Sequence, residues 1–518
     1  MAKVAEPLAS KSSPIVIIGA GVFGLSSAIH LAERGFENIT VLDKQPYHET
    51  KYSFENGCDA ASADTNKVIR AAYGERTLYQ NLALGSIREW HAWNASLRST
   101  PTSALPEGLT QNDTLFAATG VFWSSSASST PPYTLSDFDV ASLENISRAG
   151  HAATQYRLLD PAEVARAKQD GYAHAIDPFR RVARGEEPHQ GILDGLGGFV
   201  YADKAMLFAL HRARSLGIHL VLDPKHGNFS SFQTTTLSST GKAEEKEKQT
   251  ITGVVTADGY VHAATCTILA TGALTASLVP REDTLDDTLE ATAGSLGFIQ
   301  LPPPSSSSSL WDRFAPENFP TWCLPNGLYG FPRTEKGVIK LGYRGVQWTN
   351  PIPIAPSPSS PPSTDKQTLP TPPKKERSTP ITAHTTPSLA SIPAASLAVM
   401  NSFLSTHLPE LQAAGIGISR SRLCWYTDTF DAHYVVAPTP STHGLVVATG
   451  GSGHAFKMLP VLGGYVADLV EGQRGGEELR AWAWRERGTE KVGVVNRIGE
   501  GASSERALKN VEMAGVSQ

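Results

Sequence analysis

Four consecutive apolar positions, Ile15-Val16-Ile17-Ile18, open the first interpretable pattern in the chain. A strand with no polar face is one buried on both sides, as in a parallel sheet. Gly19 then opens a turn, residues 25–34 carry helical spacing closed by Gly35, and residues 38–43 read as a second strand, completing a βαβ unit. At Asp160-Pro161-Ala162-Glu163 another helix is predicted, with Asp160 as N-cap, Pro161 in the first helical position and Glu163 reaching back as in a capping box. Residues 203–216, rich in Ala, Leu and Phe and ended by Gly217, predict a helix that feeds a strand at 218–222. Residues 253–256 read as a strand into an Asp258-Gly259 turn, 261–267 return from it, and 268–272 make a further buried strand ending in Gly272.

Polar stretches interrupt this pattern at 226–250, with a Lys/Glu run at 242–248, at 302–309 (PPPSSSSS) and at 351–380, rich in Pro, Ser, Thr and Lys. None buries enough apolar surface to offset the entropy of ordering it. All three are expected to be surface excursions.

The turn after the first strand carries chemistry. Gly19-Ala20-Gly21-Val22-Phe23-Gly24 is a GxGxxG, and Asp43 ends the next strand 19 positions after Gly24, close to the roughly 20 of the dinucleotide fingerprint. Gly19 makes the tight turn, Gly21 lets a pyrophosphate approach the backbone, and Gly24 lets the helix pack on the strand. Val22 and Phe23 begin the helix whose free N–H groups face the phosphates. Asp43, with Lys44 beside it, is the candidate partner of the ribose hydroxyls. The motif alone leaves FAD and NAD open. The late strand ending at Gly272 after the Asp258-Gly259 meander resembles flavoproteins of the glutathione-reductase type. No second GxGxxG for a nicotinamide follows, which favours FAD.

Composition narrows the class. The chain has 518 residues, enough for two to four domains' worth of structure. Lys+Arg number 45 against 50 Asp+Glu, a net charge of −5, which does not suit a nucleic-acid partner. Charged residues are 18%, below the roughly 25% of average domains, which argues against a charge-driven scaffold. Cys58, Cys266, Cys323 and Cys424 form neither a CxxC nor a disulfide framework, as expected in a reducing compartment. The opening MAKVAEPLASKSSP lacks the apolar run of a secretory signal, the last residues are not a peroxisomal S-K-L, and no apolar stretch is long enough to span a bilayer. A cytoplasmic protein without a membrane partner is expected.

Three further runs carry a family resemblance: Asp64-Thr65-Asn66-Lys67-Val68-Ile69-Arg70, then Gly337-Val338-Ile339-Lys340-Leu341-Gly342-Tyr343-Arg344-Gly345, then Cys424-Trp425-Tyr426-Thr427 followed by Gly450-Gly451-Ser452-Gly453-His454-Ala455-Phe456-Lys457. With the nucleotide motif, the chain resembles the monomeric sarcosine oxidase family of FAD-dependent amine oxidases. It is most similar to the fungal saccharopine, pipecolate and fructosyl-amino-acid oxidase branch. The implied fold is α/β: a glutathione-reductase-type FAD-binding Rossmann domain with a second α+β substrate domain on a mixed or antiparallel sheet. Residues 14–95, 171–285 and 396–475 are expected in the FAD domain, 96–170 and 286–395 in the substrate domain, and 476–518 as a peripheral tail.

The resemblance also implies a site. FAD would be attached through Cys424 to the flavin 8α-methyl, and nearby cations would favour its thiolate. Lys340 falls where the family holds a lysine that stabilises forming superoxide. Lys67 falls where it holds Arg or Lys beside the flavin; which of the two dominates is open. Arg70 and Lys457 match the pair that grips the substrate carboxylate. Gly451, Gly453 and His454 are implied to pass the flavin pyrimidine, ahead of a helix over 459–469. Arg344 replaces a histidine of sarcosine oxidases, which implies a larger or more anionic substrate, such as one with a second carboxylate. The implied reaction passes hydride from the carbon next to nitrogen of a secondary amine or N-substituted amino acid to flavin N5, giving an imine and, with O2, H2O2. Ring closure from the iminium, or a dehydrogenase with another acceptor, are the alternatives, and the protein is expected as a monomer or homodimer.

Overall fold

The computed structural model describes residues 6–125, 134–188, 190–237, 248–304, 308–354, 375–386, 389, 391–473, 475–487 and 495–515. Ile15–Ile18 is the centre of a six-stranded sheet in the order Val435–Pro438, Leu445–Thr449, Cys266–Leu269, Ile15–Ile18, Ile39–Asp43, His219–Leu222. All pairings are parallel except that of Val435–Pro438 with Leu445–Thr449. Ile15 and Ile17 are fully buried and Val16 and Ile18 nearly so, as a strand apolar on both faces requires. The late strand therefore completes the sheet, as its resemblance to glutathione-reductase-type flavoproteins implied.

The helix after it runs Val22–Glu33, three residues earlier than its spacing predicted, because Gly21 takes the extended N-cap position. It crosses the helix Leu462–Val470 at close range. The Ser26 hydroxyl donates to the Leu459 carbonyl and accepts from Gly463 N–H, both at 2.7 Å. A Cβ on Gly463 would lie 1.9 Å from the Ser26 carbonyl oxygen. Gly463→Ala is therefore expected to force the two helices apart and cost about 1–3 kcal/mol as overpacking, read as a fall in Tm.

A second sheet has eight strands, in the order Arg420–Thr429, Leu289–Gln300, Val338–Trp348, Leu328–Gly330, Thr321–Cys323, Val121–Ser124, Gly191–Asp194, Gln155–Arg157. It is mixed, the parallel pair being Thr321–Cys323 with Val121–Ser124. Its far face builds a core of its own, including Phe122, Trp322, Ile339, Leu341, Met400, Phe403, Leu423 and Trp425. A small sheet of Asn66–Ile69, Gly198–Tyr201 and Phe116–Ala117 lies at the junction.

Several expected boundaries move. The segment from 396 to Thr429 belongs with the eight-stranded sheet, because helix Ala394–His407 and strand Arg420–Thr429 bury their apolar faces there. Strand Gly191–Asp194 likewise belongs to that sheet rather than to the nucleotide sheet. The described residues after 475 are not a peripheral tail. Trp482 is fully buried against Tyr79 and Tyr434, Arg485 forks onto Asp431 at 2.7 Å, and Met513–Ala514 pairs with Ile392–Pro393. The polar 226–250 stretch includes paired strands: Phe229–Leu237 and Lys248–Thr256 form a ribbon with Val261–Ala263. Pro351–Pro353 pairs with Glu376–Ser378, and Ser308–Arg313 is helical. Residues 238–247, 305–307 and 355–374 of those stretches lie outside the described residues. Asp160 caps Pro161–Gln169 by accepting from Ala162 N–H at 2.9 Å, but Glu163 accepts from Arg157 instead of closing a capping box.

Candidate active site

The nucleotide cradle is shaped by its glycines. Gly19 has φ +107°, and a Cβ there would lie 2.5 Å from the Ala270 carbonyl oxygen; one on Gly24 would lie 1.7 Å from the Gly19 oxygen. Only hydrogen fits at either position, which brings the first turn, its helix and the late strand to one point. Asp43 accepts from Ala20 N–H at 2.8 Å, Gln45 N–H at 2.9 Å and the Tyr47 hydroxyl at 3.1 Å. Lys44 beside it is exposed. Gly272, with φ +56°, starts the short turn after the late strand, and its carbonyl accepts from Thr449. The chain returns at Gly450–His454. Gly450 and Gly453 have φ +76° and +71°, and Gly451 approaches Phe23 of the first helix.

Alternation along the strands builds the next wall. Residues two apart share a face, so Arg422, Cys424 and Tyr426 project together from Arg420–Thr429, and Lys340, Gly342 and Arg344 from Val338–Trp348. Cys424 is buried with Leu296, Phe298 and Val338, apart from the larger core behind the sheet. Facing this wall is strand Asn66–Ile69, preceded by Asp64. The buried Asp64 carboxylate lies 2.9 Å from Lys340 Nζ, 2.8 Å from Lys67 Nζ and 3.5 Å from Arg422. Lys340 also donates to the Asn66 carbonyl and sits 4.6 Å from the Phe331 ring centre. Burial works against the Asp64 charge, but Lys340, Lys67 and Arg422 together hold its carboxyl far below the usual range. Lys340 is pushed down to about 8, by burial first and by Lys67 as well, against the pull of Asp64. Lys67 is raised, because Asp64 and Cys424 outweigh its burial. Three cations on one carboxylate leave a net positive patch beside Cys424.

The Arg344 charge is already met. Its Nη2 lies 2.9 and 2.7 Å from the two oxygens of the fully buried Asp428, which also accepts from Thr292. Its guanidinium stacks 4.2 Å from the Tyr426 ring centre and fills the space a Cβ on Gly453 would need. Asp428 raises its pKa despite burial. The expected surplus of positive charge toward substrate is thus cancelled by a partner that sequence reading left without a role.

A second cationic group lies at the end of Asn66–Ile69. Arg70 packs between Trp123, 4.8 Å away, and Tyr73, 5.2 Å away, and donates to the Ala72 carbonyl. Lys457 Nζ is 4.7 Å from the Tyr73 ring centre. Its backbone carbonyl is held by Ser86 and by Trp90 Nε1 at 2.8 Å. Cys323 and Asp194 border both cations closely enough to act on their charges. His454 donates from Nε2 to the Ala432 carbonyl at 3.1 Å, which leaves Nδ1 to accept from Tyr73 at 3.2 Å and Tyr434 at 3.1 Å. Burial above all keeps this ring neutral.

The structure therefore gathers Lys67, Lys340, Cys424 and Arg344 along one wall and Arg70, Lys457 and His454 at its end, with the glycine cradle leading to them. Sequence reading missed Asp64, Arg422, Asp428, Asp194 and Cys323 as site residues. The period-two spacing of Arg422, Cys424 and Tyr426 was a signal for one of them.

Comparison with known proteins decides the family. Residues 14–469 match the DAO family, described as FAD dependent oxidoreductase. The chain belongs to this family. An L-saccharopine oxidase of Schizosaccharomyces pombe is 26% identical over 477 residues, 92% of this chain and 94% of that protein. A monomeric sarcosine oxidase of Bacillus sp. is 22% identical over 462 residues, 88% of this chain and 91% of that protein. The fold is that of fructosyl peptide oxidase from E. terrenum, with TM-score 0.68 at 24% identity over 97% of this chain and 98% of that one. The residues present suit FAD: a cradle closed to any side chain but hydrogen, and a buried thiol beside a cationic patch. No helix among the described residues is long and apolar enough to cross a membrane.

Proposed function

We propose that this FAD-dependent oxidoreductase oxidises the C–N bond of a secondary amine or N-substituted amino acid bearing a carboxylate, with O2 as acceptor and H2O2 as product. Support comes from the relatives named for saccharopine and sarcosine and, above all, from two separate cationic groups on either side of one wall. FAD, which the Gly19–Gly24 cradle and Asp43 would hold, would supply the two-electron redox chemistry between substrate and O2. The chain's own residues do the rest. Arg70 and Lys457 hold the carboxylate and so orient the carbon next to nitrogen. Lys340, pinned by Asp64, offers a fixed positive charge to the superoxide that forms first, and Lys67 adds to it. Because Asp428 neutralises Arg344, the groups left to meet a substrate carboxylate are Arg70 and Lys457, which suits one carboxylate better than two.

A peroxide-coupled screen of sarcosine, pipecolate, saccharopine and fructosyl amino acids tests the reading. Peroxide release with a carboxylated secondary amine is the expected result; turnover only with an artificial electron acceptor would oppose it. Arg70→Ala is expected to raise KM for such substrates about tenfold to a hundredfold, the worth of the roughly 1.5–3 kcal/mol of a charged hydrogen bond, with a smaller change for amines lacking the carboxylate.

The attachment of FAD through Cys424 belongs to the same proposal. Lys67, Lys340 and Arg422 all lie close enough to Cys424 to interact with it, so the buried sulfur faces a cationic wall. Wild-type protein is then expected to stay yellow in the pellet after acid precipitation, while Cys424→Ala releases its flavin to the supernatant. Free flavin from both proteins would speak against the bond.

A further inference from the structure

The three lysines of the site, Lys340 and Lys457 buried and Lys67 partly so, do not have equal surroundings. Lys340 and Lys67 share the carboxylate of Asp64. Lys457, 5% exposed, has no such partner: among the described residues no carboxylate or carbonyl accepts from its Nζ, which faces the Tyr73 ring. Helix Thr77–Ser99 packs on its turn and holds its carbonyl through Ser86 and Trp90, and the groups that face its side chain come from other elements. Arg70 comes from the end of Asn66–Ile69, Tyr73 from the turn after it, Cys323 from Thr321–Cys323 and Asp194 from Gly191–Asp194, while His454 lies on its own loop. Asp194 makes no ion pair with it, and one Asp194 oxygen is taken by Gln155 at 2.7 Å and Leu196 N–H at 3.0 Å. A buried ammonium beside a guanidinium and without an ion-pair partner is costly, so the neutral amine is the stable form of the empty pocket.

The proposed substrate presents the complementary problem. In water a secondary amino acid is a zwitterion, yet its nitrogen must be neutral before its lone pair can assist loss of hydrogen from the neighbouring carbon. We propose that Lys457, besides holding the carboxylate, takes the ammonium proton of the arriving substrate. An N–H bond of the substrate ammonium breaks, an N–H bond forms on Nζ, and the electron pair stays on the substrate nitrogen. Neutral lysine and zwitterion become lysine ammonium and amino carboxylate, with no proton drawn from or given to solvent. The new ammonium then faces the carboxylate beside Arg70. Burial first, and Arg70 second, hold the Lys457 ammonium well below the ordinary lysine range, while Cys323 and Asp194 pull the other way. The inference rests on the carboxylate reading above.

Calorimetry of the oxidised holoenzyme in two buffers of different ionisation enthalpy separates the two. Propionate has a carboxylate but no proton to give, so its binding near neutral pH is expected to draw about one proton from the buffer. Glycine, a zwitterion, is expected to draw almost none. Proton uptake with propionate should fade as pH is lowered and Lys457 becomes charged beforehand. Lys457→Arg should still bind propionate but without uptake, and Lys457→Met serves if the arginine variant loses its flavin spectrum. Propionate binding to the wild type with no proton uptake at any pH, or uptake unchanged in the variants, overturns the proton-acceptor role and leaves the carboxylate grip standing. Failure of the wild type to bind propionate at all removes the carboxylate grip, and this inference with it.

Discussion

Replacing Lys340 by methionine is expected to slow reaction of the reduced enzyme with O2 by about 10²–10³-fold, the usual loss on removing one preorganised charge-stabilising group. Anaerobic reduction by substrate should change far less, because Arg70 and Lys457, the proposed carboxylate grip, lie elsewhere. Stopped-flow measurement of the two half-reactions checks this, and equal slowing of both would remove the assigned role. The same lysine predicts a pH dependence. Its pKa is pushed down to about 8, chiefly by burial, so it is charged below that pH and loses its charge above it. The O2 step should therefore fall as pH rises through about 8. Stability should move the other way. Between about 8 and the ordinary lysine value the unfolded chain binds the proton that the folded chain has lost, so this group's penalty on stability shrinks as pH rises.

The second large effect is expected at Asp64. Asp64→Asn leaves Lys340, Lys67 and Arg422 buried without their counter-charge. Breaking a buried pair from one side costs about 3–5 kcal/mol, and here three cations share the partner that is lost. A fall in Tm and in the denaturant midpoint should follow. Wherever the variant folds, Lys340 should lose its proton at a lower pH than in the wild type, so the O2 step should fail earlier on the alkaline side. An unchanged pH profile would mean that Asp64 does not set the Lys340 charge.

What the sequence disclosed and what it withheld divide along a physical line. The cradle from Gly19 to Gly24 and the acidic Asp43 are close together in sequence, and the demand on Gly24 comes from Gly19 itself, whereas that on Gly19 comes from the distant Ala270. Ile15–Ile18 was legible because it lacks a polar face, and the late strand was read at 268–272 and lies at Cys266–Leu269, whereas Val435–Pro438 and Leu445–Thr449 went unread. Counter-charges were not legible, because they are set by long-range pairing: Asp64 meets Lys340 and Asp428 meets Arg344 only once separate strands align. That is why Arg344 read as surplus charge. Trp482 likewise looks like part of a charged tail until its indole N–H reaches Tyr79, 403 residues earlier. The Phe229–Leu237 ribbon was hidden by its polarity. Thr234, Thr235 and Thr236 are β-branched and suit a strand, but they give no apolar alternation to announce one.

One proposed arrangement is decisive: a carboxylate grip at one end of the wall that carries Cys424 and a lysine charge for O2 along it. The most direct test is to mix the purified yellow protein, without oxygen, with carboxylated secondary amines and then admit air. The arrangement predicts that at least one of them bleaches the protein and that air restores the colour with release of H2O2. A protein that stays yellow with every such amine, or that bleaches and does not recover in air, would contradict it.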